Sequence, residues 1–176
     1  MMGTEMRKAF LVEQFEAELP TSLEVLRAVP ADALDWKPHR DSYSLGRLAM
    51  HVASIPGWMP TFVNGTGYDM GAGGSGPAVP ASRDEILARF DSASGKGRQV
   101  LRDLDEATLG DAWSLLRDGE VVSTMTRGEA IARYVIRHTV HHRGQLAVYL
   151  RLRGVPVPPL YGDSADLRLL PRSATP

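Results

Sequence analysis

The chain has 176 residues, 43% hydrophobic and 23% charged, which fits one globular domain over residues 1–176 and excludes a disordered tail or a fibrous repeat. No run approaches the ~20 apolar residues of a membrane helix, and the opening MMGTEMRKAFLVEQFEAELP mixes acids into its apolar residues, unlike a signal peptide, so the expected location is the cytoplasm with no membrane partner. A net charge of −1 removes any global electrostatic case for nucleic acid, and the absence of cysteine excludes disulfides, thiolate zinc sites and cysteine nucleophiles.

The spacing predicts a first helix over residues 5–28, where Val12, Phe15, Leu19, Leu23 and Leu26 recur at helical steps. Pro20 falls inside it, and Thr21 with Glu24 reads as a capping box that restarts the helix. A second helix begins near Ser42 or Ser44 and runs to about residue 63, with Leu48, Val52, Ile55, Met59 and Phe62 as its stripe. Pro56 and Gly57 predict a bend within it. The segment NGTGYDMGAGGSG, residues 64–76, holds six glycines. It has no lysine and follows a helix rather than a strand, so it reads as a flexible crossover, not a phosphate cradle.

A third helix opens at Ser82, capped by Ser82 and Glu85, and Ile86, Phe90, Ala93, Leu101 and Leu104 share its inner face. WSLLRDGEVVSTM then reads as two short β-prone runs around Asp118-Gly119, a small hairpin. The fourth helix starts at the Thr126–Glu129 capping box and continues to about residue 153, where Gly154 and Pro156 stop it. The proline-rich tail is expected as coil with a short turn over residues 164–169. Four amphipathic helices with one glycine-rich link read as a four-helix bundle, an all-α fold with a possible small hairpin before the last helix.

The chain carries five histidines, and three of them, His138, His141 and His142, crowd the fourth helix. His138 and His142 lie about 40° apart on a helix, one turn above the other. Ile131, Val135, Leu146 and Tyr149 share their sector, so both imidazoles should point into the bundle. Two buried imidazoles cannot both be charged, and two neutral rings still need partners. A divalent ion resolves this, since imidazoles at i and i+4 reach one metal at bond lengths of about 2.1 Å. His51, on the inner flank of the second helix, supplies a third ligand. The glutamate of an HExxH hydrolase motif is absent, because Thr139, Val140 and His141 fill the gap. His141 points to the side, to a supporting position, and His39 sits in a turn as a structural or exposed residue. Arg137 and Arg143 flank the histidines but read as solvated. Because the ligands must be neutral, metal binding should weaken below about pH 6.

The run HTVHHRGQL from His138 to Leu146, continuing through YLRLRG to PVPPLYGDS, resembles the C-terminal signature of the DinB/YfiT-like superfamily. LRAVPADALDWKPHRDSYSLGRLAMHVASIPGW resembles its first loop and second helix, with the family histidine at His51. The resemblance covers nearly the whole chain. It implies an antiparallel, up-down-down-up four-helix bundle that binds a divalent metal, zinc or nickel, through His51, His138 and His142. It also implies a homodimer, and thiol-dependent S-transferases and isomerases among the relatives, using bacillithiol, mycothiol or glutathione.

Three functions follow as alternatives. A metal-dependent enzyme would take a small-molecule substrate, with a low-molecular-weight thiol as co-substrate or with activated water as a hydrolase. A non-catalytic metal-binding module is the second. Nucleic-acid binding is the third and rests only on the basic last third of the chain, which carries +5 from Arg127 onward. No carboxylate stands out as a general base, so catalytic residues other than the metal ligands are not assigned. A dimer would use the back of the fourth helix, where Ile136, Val140 and Ala147 form an apolar strip beside Gly144, edged by Arg133, Arg143 and Arg151.

Overall fold

The computed structural model describes residues 7–72 and 76–167. Helix α1 (Lys8–Arg27) runs unbroken through Pro20. The expected restart at Thr21 does not occur: proline costs the helix one backbone donor, Pro20 itself lies exposed, and packing of Leu11, Phe15, Leu19, Val25 and Leu26 along one face holds both halves in line. Residues 5 and 6 of the expected helix lie outside the described residues.

Ser44 caps α2 (Leu45–Ser54) by accepting from the Arg47 N–H at 3.2 Å. The bend expected at Pro56 is a 3-10 turn, Ile55–Trp58, which hands the chain to the short α3 (Met59–Val63). Ser82 likewise caps α4 (Arg83–Asp103), accepting from the Glu85 N–H, while the Glu85 carboxylate accepts from the Ala81 N–H. The last helical stretch starts at the complete Thr126–Glu129 capping box with α5 (Arg127–Ile131). It widens into a π-helical segment, Ala132–Arg137, and resumes as α6 (His138–Leu152). One uniform α-helix was expected there. The wide turns carry the unevenness, and Thr139 stitches across them by donating its hydroxyl to the Val135 carbonyl at 2.8 Å. Gly154, at φ 68°, terminates the helix as the sequence predicts.

The fold is therefore mostly helical, with four principal helices (α1, α2, α4 and α6) and a small sheet, rather than purely all-α. The hairpin forms as expected: β2 (Ala112–Arg117) pairs antiparallel with β3 (Glu120–Thr126) across Asp118 and Gly119, both at positive φ. The glycine-rich link is not simply a flexible crossover. Its residues Gly67–Asp69 form β1, parallel to β2, and give the order β1-β2-β3. Gly67 is required there, since a Cβ would stand 2.5 Å from the Ser114 carbonyl oxygen. Asp69 then caps the hairpin turn, accepting from the Asp118 N–H at 3.0 Å and the Gly119 N–H at 2.8 Å. These bonds to backbone donors hold its carboxyl below the usual aspartate range. Buried Arg127 closes the seam by donating to the Val63 carbonyl and pairing with Asp111 at 3.4 Å.

Helices α1 and α2 both pack against α4 and α6, and one apolar core runs through all four. Two surface expectations change. Arg143 is not solvated but 1% exposed; it donates to the Glu18 carboxylate and the Tyr161 hydroxyl, each at 2.6 Å, and to the Glu18 carbonyl and Ser22 hydroxyl, each at 3.1 Å. Tyr161 also donates to Glu18 at 2.8 Å, so the tail motif PVPPLYGDS fastens to α1 and α6 through one arginine. The apolar strip on the back of the last helix is also largely covered within the chain, with Ile136 and Ala147 each 9% exposed and part of the core. The tail is coil, with the Ser164 N–H donating to the Leu167 carbonyl; the last two residues of the expected turn lie outside the described residues. No described helix is long and apolar enough to cross a membrane.

Candidate metal centre

Two elements bring the three histidines together. Helix α2 buries Leu48, Val52 and Ala53 against its neighbours, and this turns His51 toward α6, on which His138 and His142 stand one turn apart. The Nε2 atoms of His51 and His138 are 3.0 Å apart. The His142 ring lies 4.4 Å, centroid to centroid, from both of the others. One ligand nitrogen from each residue falls within 4.8 Å of the rest. These are the three histidines that the sequence expected to converge, and they lie close enough that they could hold a metal ion.

The donor set fits a divalent ion. Two nitrogens on one zinc can be at most about 4.2 Å apart and stand about 3 Å apart when the bond angle nears 90°. The His51–His138 pair already has that spacing, and the trio as a whole spans no more than 4.8 Å. Gln145 Oε1 lies 2.7 Å from His142 Nδ1 and accepts its proton, which leaves His142 Nε2 as the free lone pair. His51 Nδ1 is buried and has no hydrogen-bond partner among the described residues. The two facing Nε2 atoms can bond to each other only if one of them carries the hydrogen, whereas a cation would use the lone pairs of both.

Electrostatics favour the neutral, ligating form. Burial pushes His51 down to about 4, reinforced by His142, His138 and Arg47. Burial, then His142 and His141, pushes His138 down to about 4 as well. Burial also lowers His142, although its bond to Gln145 opposes the shift. At neutral pH all three rings are uncharged. Trp58 and Tyr43 wall the site, with Trp58 edge-on to His51 at 5.2 Å and tilted against His138 at 5.4 Å.

His141 lies outside the trio: it is exposed, with its ring 4.8 Å from that of His142. His39 is an exposed turn residue whose Nδ1 accepts from the Asp41 N–H. Arg137 is exposed as expected. Reading the sequence for metal ligands missed Gln145, Trp58 and Tyr43. Gln145 was within reach of such reading, because it lies three residues beyond His142 on the same helix face. The aromatic walls were not, because they come from separate elements.

The model of the DinB family matches residues 2–168. The chain is 25% identical over 156 residues to the uncharacterised protein YrdA of Bacillus subtilis, covering 88% of each chain. Its fold is similar to that of a DinB-like protein from Bacillus cereus, with TM-score 0.67 and 20% identity over 90% of this chain and all of that one. A DinB-like protein from Bacillus subtilis, YjoA, gives 0.63 and 20%, covering 86% and 96% of the two chains. A DinB-family member from Exiguobacterium sibiricum gives 0.58 and 18%, covering 84% and 91%.

Proposed function

The chain belongs to the DinB family, and on that footing we propose that it is a metal-dependent enzyme, a thiol S-transferase that holds zinc or nickel through His51, His138 and His142. The observation that carries this reading is the convergence of three neutral imidazoles from two helices onto one point. When bound, a divalent ion with three nitrogen ligands supplies an open position and a Lewis acid that lowers the pKa of an incoming thiol or water.

The chain's own residues set up that chemistry. Gln145 fixes the ring of His142, and the Trp58 ring screens the face shared by His51 and His138. Neutral at pH 7, His51, His138 and His142 would hold a divalent ion without cancelling its charge. The chain has no cysteine, so the sulfur must arrive on a low-molecular-weight thiol. A cavity reaching His138 supplies room for the acceptor.

The test is elemental analysis of the freshly purified protein, followed by thiol-dependent conjugation assays with the metal retained. His51→Ala, His138→Ala and His142→Ala should each cut metal content sharply, whereas His141→Ala and His39→Ala should not. Metal that survives His138→Ala but not His141→Ala refutes the ligand assignment. Thiol-independent hydrolysis by the metal-loaded protein would select the hydrolase alternative.

A further inference from the structure

The small sheet has no part in the histidine trio, yet it lines a cavity of about 440 Å³ that His138 also lines. Alternation along paired strands explains which side chains line it. Trp113 and Leu115 lie two apart on β2, and Tyr68, in register with Leu115, lies two before Met70. All four line the cavity. Trp58, Thr61 and Phe62 line it from the turn and helix after α2, and Tyr134 from the π-helical segment.

The rings pack on one another. Phe62 stacks on Tyr134 at 6.0 Å with planes 9° apart, and Trp113 touches both at 5.1 and 5.7 Å. Tyr68 and Met70 are exposed and stand at the mouth. Trp58 contacts both His51 and His138 while lining the cavity, so it stands where the histidines and the cavity meet. None of the nine lining residues is Asp, Glu, Lys or Arg.

Resting on the metal-site reading above, we infer that this cavity selects the acceptor substrate, an uncharged, largely apolar aromatic molecule of about two fused rings, with its reacting end at His138. A charged ligand would lose its hydration here with no counter-charge to replace it. Size sets the scale, since the cavity's roughly 440 Å³ is about three times the ~150 Å³ apolar cavity that holds one benzene. Five aromatic side chains, Trp58, Phe62, Tyr68, Trp113 and Tyr134, present ring faces and edges suited to a flat π-system.

The probe is 2-naphthol, uncharged at neutral pH, titrated into the full-length protein as purified and again after dialysis against a chelator. Calorimetry and quenching of tryptophan fluorescence read the binding, since two of the three tryptophans line the cavity. One-to-one binding is expected in both preparations. In the chelated protein, 2-naphthoate should bind about tenfold or more weakly, because its charge finds no partner. Leu115→Lys and Tyr68→Lys should each weaken 2-naphthol binding by at least about tenfold. Val122→Lys, on the exposed side of β3, should leave it unchanged. Tyr68 is exposed at the mouth, so Tyr68→Lys decides the matter if Leu115→Lys does not fold. Naphthoate binding as tightly as naphthol in the chelated protein, or a Tyr68→Lys variant with native circular dichroism and undiminished binding, overturns the inference. A protein that retains metal but takes up no naphthol also overturns it while leaving the histidine site standing. Naphthol binding by a protein that takes up no metal upholds the cavity and refutes the metal reading.

Discussion

The buried Arg143 offers a sharp test of how the tail is held to the helices. Its guanidinium is 1% exposed and its partner carboxylate, Glu18, 13% exposed. Replacing Glu18 with alanine leaves a positive charge inside the protein with only neutral acceptors: the residue-18 carbonyl, the Ser22 hydroxyl and the Tyr161 hydroxyl. Removing one member of a buried ion pair costs about 3–5 kcal/mol, and the three surviving acceptors place this case near the lower figure, about 3 kcal/mol. For a chain of this size that lowers Tm by about 6–12 °C. The double variant Glu18→Leu with Arg143→Met removes both charges and should recover most of the loss, because desolvation of the pair offsets much of its attraction. Tyr161 is 68% exposed, so water satisfies its hydroxyl in the double variant. Thermal melts and urea titrations of wild type, both single variants and the double variant form a complete cycle. If Glu18→Ala shifts Tm by less than about 2 °C, or if the two single losses simply add in the double variant, the account of a buried, charge-compensated arginine is wrong.

Two glycines on α4 should respond in opposite directions. Gly95 is exposed with nothing near the position of a Cβ, so Gly95→Ala should stabilise by about 0.5–1 kcal/mol through helix propensity. A Cβ at Gly97 would stand 2.7 Å from both the Phe15 ring and the Pro56 carbonyl oxygen, so Gly97→Ala should cost about 1–3 kcal/mol, measured by the same melts. In metal-free protein, stability should rise with pH between about 4 and 6.5, because His51 and His138 titrate near 4 when folded and near 6.5 when unfolded. The unfolded chain binds more protons within that window, so this stability is present in full above pH 6.5 and lost as pH falls through 4. A His51→Ala, His138→Ala double variant should show a flatter Tm profile there, and an identical slope would count against the shifts. The same lowering should let metal persist below the pH of about 6 that an unperturbed imidazole would set.

The sequence by itself determined the elements whose causes are local. Capping by Ser44, Ser82 and Thr126 depends on hydrogen bonds spanning three residues, and the Asp118-Gly119 turn depends on two backbone conformations, so each is written in a few adjacent positions. The same holds for the His138–His142 pair, since the helical period alone sets two rings one turn apart. His51 was legible as a third inward-facing histidine because the apolar stripe around it marks which face of α2 turns inward. What only the tertiary structure decided depends on residues distant in the chain. Gly67–Asp69 becomes a strand only because β2 lies alongside, and Asp69 caps a turn 49 residues away. Pro20 continues a helix because the core on both sides of it outweighs one lost backbone bond. Arg143 looked like a solvated neighbour of the histidines, since helical periodicity carries no record that Glu18, Ser22 and Tyr161 converge on it from α1 and the tail. The aromatic cavity beside His138 is of the same kind: its rings come from five separate elements, and only their packing puts them around one volume.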